Sequence, residues 1–63
     1  MSKEMAIENA TKAAQGADLL LKDLQGLLFN SDELMALLVL PEIEKVASVK
    51  MRMEAIMSAL KTK

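Results

Sequence analysis

Cysteine and histidine are both absent from the sequence. Without cysteine there is no disulfide staple, no thiolate zinc site and no thiol nucleophile. Without histidine the commonest general base and the commonest metal ligand are missing. Tryptophan and tyrosine are absent as well, and Phe29 is the one aromatic residue. The core must therefore be built from Leu, Met, Val, Ile and Ala. Two glycines and one proline allow few tight turns, too few for a β-sandwich or barrel. The net charge of −1 lacks the basic excess of a dedicated nucleic-acid binder. The longest uninterrupted apolar run, Leu34 to Leu40, is seven residues, where a membrane-spanning helix needs about 20. The start, Met-Ser-Lys-Glu-Met-Ala, carries an acid and no apolar stretch, so it does not read as a signal peptide. A cysteine-free chain of this kind is expected in the cytoplasm.

What remains favours helix. Ala, Leu, Lys, Glu and Met are strong helix formers, and 52% hydrophobic residues argue against disorder. Residues 1–63 are expected to make a single all-helical domain. The one clear turn signal is Phe29-Asn30-Ser31-Asp32-Glu33-Leu34. Asn30 has the chemistry to cap a helix beginning at Ser31. Glu33 then has capping-box spacing to it, and Phe29 and Leu34 have the spacing of a hydrophobic staple. Asp32 and Glu33 place negative charge at the new helix's positive end.

Before that turn, residues 3 to 29 read as one helix. Ala6, Ala10, Ala13, Ala17, Leu20, Leu24 and Leu27 alternate spacings of four and three, a heptad seam. Ile7, Ala14, Leu21 and Leu28 flank it and widen the stripe. The alanine half lets a neighbour approach closely, and the leucine half pushes it away. Gly16 and Gly26 each cost the helix about 1 kcal/mol against Ala. They read as weak spots, or as contact points for a partner.

After the turn, residues 31 to 61 read as helix. Leu34, Met35, Leu37, Leu38, Val39 and Leu40 cover more than one face, so this run needs burial all round. Pro41 either kinks one long helix or separates two. Met35, Val39, Val46, Met53, Met57 and Leu60 share one side, which favours a kinked, continuous helix; a compact three-helix monomer broken at Pro41 is the competing arrangement. Ile43, Val46, Val49, Met53, Ile56, Met57 and Leu60 mark the inner face beyond the proline. Lys61 and Lys63 suit the helix C-terminus.

Little in the chain points to catalysis. Ser2, Ser31, Ser48 and Ser58 have no histidine to activate them. Lys50 lies near an apolar stripe, where a snorkelling role is commoner than a basic one. Asn30, Asp32 and Glu33 lack the spacing and glycine of a calcium loop, and no glycine-rich phosphate loop is present. The expectation is a protein that is not an enzyme and holds no cofactor or metal. Met35, Met51, Met53 and Met57 are either core filling or an adaptable partner groove.

The fold expected is all-α: a helical hairpin, its second helix kinked or broken at Pro41, pairing into a four-helix bundle. One hairpin seam leaves the Leu34–Leu40 run in water, and a second copy covers it. Leu20, Leu24, Leu27, Phe29, Leu34, Leu37, Leu38, Val46, Met53 and Met57 are the candidate oligomer or partner interface. The expected partners are the chain itself, as a homodimer or higher oligomer, and another protein. The function expected is protein–protein interaction, as of a small bacterial or phage regulator, inhibitor or chaperone-like protein. In length and architecture this hairpin resembles the small plasmid copy-control RNA-binding hairpin that dimerises into a four-helix bundle. The likeness is one of shape, without a residue-by-residue match, and makes RNA binding through Lys45, Lys50, Arg52 and Lys61 the alternative function.

Overall fold

A computed structural model describes residues 2–62. It contains two helices, α1 (Lys3–Phe29) and α2 (Glu33–Lys61), joined by a three-residue turn. They pack along their length as a hairpin of 46 × 15 × 13 Å. At 1.5 Å per residue α2 alone is about 43 Å long, so the hairpin is as long as its longer helix. No strand occurs among the described residues.

α1 begins at Ser2, whose Oγ accepts from the Met5 amide at 3.1 Å. The turn is built differently from the expected capping box. Asn30 closes α1 instead of opening α2: its backbone amide donates to the Gly26 and Leu27 carbonyls, each at 3.2 Å. Its side-chain Nδ2 donates to the Gly26 carbonyl at 2.8 Å. The Ser31 hydroxyl donates to Leu27 and its amide to Leu28. The last carbonyls of α1 are thus satisfied by two consecutive polar residues. Asp32 then caps α2, accepting from the Met35 amide at 2.9 Å in extended backbone (φ −76°, ψ 177°). The physical reason is donor chemistry. An asparagine amide can donate to the helix behind it, whereas a carboxylate only accepts, and its charge suits the positive end of the helix ahead. Helix α2 accordingly starts at Glu33, not Ser31. The hydrophobic staple does not form: Phe29 and Leu34 are both exposed.

The inner face of α1 runs through Ile7, Ala10, Ala14, Ala17, Leu21, Leu24 and Leu28, and that of α2 through Ala36, Val39, Ile43, Val46, Lys50, Met53, Met57 and Leu60. Each list alternates spacings of three and four, the a and d positions of a heptad. The expected seam on α1 shares Ala10, Ala17 and Leu24 with the observed one but took the column Ala6, Ala13, Leu20 and Leu27 in place of Ile7, Ala14, Leu21 and Leu28. The apolar stripe is three columns wide, and a single neighbouring helix covers two. Leu20 and Leu27 consequently remain half-exposed.

Because the helices are antiparallel, the alanine half of α1 faces the Lys50–Leu60 end of α2, and the leucine half faces the Ala36–Val46 end. The unbranched Lys50, Met53 and Met57 thus meet alanines, and leucines meet Ala36 and the β-branched Val39, Ile43 and Val46, which fills the interhelical space without aromatics. Among the described residues only Ala10, Ala14, Ala17 and Val39 are buried. Helix α2 runs unbroken through Pro41, as the shared side of Met35 to Leu60 suggested, although Met35 itself sits at the edge, 44% exposed. Lys61 lies in the last turn of α2; Lys63 falls outside the described residues.

Candidate interaction surface

The two flanks of the hairpin differ in chemistry. In an antiparallel pair the e positions of both helices line one flank and the g positions the other. Counting from the observed a and d positions, the e flank carries Thr11, Asp18 and Gln25 of α1 with Leu40, Ala47, Glu54 and Lys61 of α2. Two cross-helix contacts fix its register. Lys50 Nζ donates to Asp18 Oδ1 at 2.8 Å. One heptad away, Thr11 Oγ1 donates to the Ile7 carbonyl at 2.8 Å and stands 3.1 Å from Met57 Sδ. A polar groove of about 340 Å³ lies over these residues.

Lys50 occupies a seam position, where a polar residue specifies register at some cost in stability. Its side chain and that of Asp18 each keep about a third of their surface in water (32% and 36%). The hydrogen bond from Lys50, then that from Lys22 at 3.4 Å, hold the Asp18 carboxyl below its usual range. The same hydrogen bond to Asp18 raises Lys50 above the usual lysine range. Both shifts keep the pair charged. A general base needs a depressed lysine, so Lys50 is tuned away from that role.

The g flank is apolar. It comprises Ala13, Leu20 and Leu27 of α1 with Met35, Val49 and Ile56 of α2, interrupted by Glu42. The five large side chains are 44–49% exposed, covered on the seam side and bare on the other. A shallow groove of about 290 Å³ runs between the helices here, lined by Ala13, Gly16, Ala17, Leu20, Lys45, Val46 and Val49. Leu38 borders this flank and is also exposed.

A second apolar surface surrounds the turn. Phe29 is 91% exposed, and Leu34, Leu37 and Leu40 are exposed beside it in sequence and at the same end of the hairpin. Of the ten candidate interface residues, Leu24, Val46, Met53 and Met57 lie in the seam within the chain. Leu20 and Leu27 lie on the g flank, Leu38 borders it, and Phe29, Leu34 and Leu37 belong to the turn end. The candidate set lacked Met35, Val49 and Ile56. Their spacing in multiples of seven, with Glu42 at the place between Met35 and Val49, was the available signal, but it becomes informative only once the seam is fixed. Of the four methionines considered as a groove, Met53 and Met57 are in the seam, and Met35 and Met51 are exposed.

Lys45 sits 3.6 Å from Glu42, so with Lys50 two of the four cations considered for RNA contact lie against carboxylates. Among the described residues no group of three or more acids is placed to hold a metal ion, and no helix is long and apolar enough to cross a membrane. Comparison of the chain with protein-family models, curated proteins and solved structures gave no match.

Proposed function

We propose that this chain is a non-enzymatic protein–protein interaction module: a cytoplasmic, self-associating helical hairpin that acts by binding another protein, as a small regulator, inhibitor or chaperone-like protein does. One observation carries the reading. The only aromatic residue, Phe29, stands 91% exposed at the turn end among the exposed Leu34, Leu37 and Leu40. Soluble monomers rarely leave such a patch in water, and aromatic residues are enriched where proteins bind one another. Asp32, Glu33 and Glu44 lie close to the patch in sequence. That setting favours a partner whose apolar helix face is flanked by Lys or Arg, and it repels phosphate.

The test is capture from host lysate on immobilised chain, with the parent compared against Phe29→Ser/Leu37→Ser. Both side chains are exposed, so the variant keeps its fold. The expected result is a protein retained by the parent, lost on the variant, and held as salt rises from about 50 to about 200 mM. Capture of nucleic acid that falls away steeply over that range overturns the reading in favour of RNA binding. Equal retention by parent and variant removes the turn end from the interaction.

A further inference from the structure

We infer that a second copy of this chain docks on the g flank with its turn at the opposite end, so that two hairpins close into an antiparallel four-helix bundle. The inference rests on the self-association in the reading above and specifies its surface and orientation.

Surface area says that one hairpin is incomplete. Its accessible surface is 4891 Å², against about 4,000 Å² for a compact monomer of 6.9 kDa. The excess of about 900 Å² is close to the roughly 800 Å² that each partner buries in a standard interface. The g flank is the apolar strip, interrupted only at Glu42 among the described residues, that runs the length of the hairpin.

Charge sets the orientation. Among the described residues, the turn half of the hairpin (17–46) holds six acids and two bases, a net −4. The open half (2–16 and 47–62) holds five bases and three acids, a net +2. Two copies with their turns together would stack the −4 ends. Two copies with their turns apart set each acidic end on a basic one.

Symmetry then supplies a residue-level match. A two-fold axis across the hairpin passes the midpoint of each helix, residue 16 in Lys3–Phe29 and residue 47 in Glu33–Lys61. Gly16 thus marks the α1–α1 crossing, and a Cβ there has nothing within 4 Å in a single hairpin. On α2, residues equidistant from 47 come level: Leu38 with Ile56 of the second copy, and Glu42 with Arg52 of the second copy. Among the described residues Glu42 is the one charge at a g position of the flank; Lys45 of its own chain stands 3.6 Å away, and the antiparallel arrangement brings it a second cation, from the other copy.

The experiment uses the full chain, in which any introduced cysteine is unique. With spin labels at Glu33→Cys, the expected separation between copies approaches the 46 Å length of the hairpin. A dimer with the labels within about 20 Å, two helix diameters, overturns the orientation and leaves self-association standing. A single 6.9 kDa species in sedimentation equilibrium overturns both. A second measurement removes dependence on labels. Glu42→Arg and Arg52→Glu should each weaken association about tenfold, since each removes two symmetry-related contacts, and the double variant should restore it. Positions 42 and 52 lie about 15 Å apart on one helix, beyond the Debye length at ordinary salt, so restoration within one chain is excluded. A double variant weaker than either single one overturns the proposal.

Discussion

At the scale of single residues, the turn shows where side-chain chemistry decides and residue order alone does not. A polar run from Asn30 to Glu33 announced a helix boundary in the sequence. Which residue serves which helix was not legible, because asparagine can cap either way and aspartate only one. Asp32→Ala should therefore cost about 1 kcal/mol in urea unfolding, with Asp32→Asn nearly neutral; if Asp32→Ala unfolds like the parent, the Met35 amide has another acceptor. The Asp18–Lys50 pair carries a pH signature. Asp18 is lowered from 3.8, so its contribution is present above that value and is lost as pH falls through the folded pKa. Lys50 is raised from 10.5, so its contribution is present below that value and is lost as pH rises through the folded pKa. Stability measured against pH should show a plateau between these limits. Asp18→Asn should flatten the acid side, and an unchanged acid limb would mean that other carboxylates dominate it.

At the scale of elements, the heptads made both helices legible from end to end, and Pro41 did not interrupt the second. The choice of seam was hidden, because two overlapping heptads on α1 share Ala10, Ala17 and Leu24. Only the partner helix, held by Asp18 against Lys50, distinguishes the a column from the g column. Lys50 thus spends stability on register. Lys50→Met would make the α2 seam continuous from Val46 to Leu60. The expected outcome is an unchanged or higher melting point together with more than one set of amide resonances. A lower melting point with a single set would show that the ion pair stabilises and does not specify. The glycines separate differently. Gly26 points to open space at negative φ, so Gly26→Ala should stabilise by up to about 1 kcal/mol, read as a shift in the urea midpoint.

At the scale of the whole molecule, an apolar flank and an apolar turn end are distinct surfaces with distinct predicted behaviour. Leu38 borders the flank and Leu37 belongs to the turn end. Leu38→Glu should abolish the concentration dependence of thermal unfolding that mass action gives an oligomer, because a carboxylate buried there has no partner. Leu37→Glu should leave that dependence intact. If both variants behave alike over a hundredfold concentration range, the two surfaces are one. That the hairpin exposes apolar residues was legible from the Leu34–Leu40 run; their division between two faces was not, since it depends on a seam that only three-dimensional packing defines. The unbroken course of α2 through Pro41 has one further consequence, for exchange with solvent. The Leu37 carbonyl has lost its intrahelical donor, and Ala36 and Val39 are the only inner-face anchors between the proline and the turn. The hairpin should therefore open from the middle of its sequence, at the turn end, before its other end separates. In deuterated buffer the amides of Leu37 to Leu40 should exchange ahead of those from Val46 to Met57.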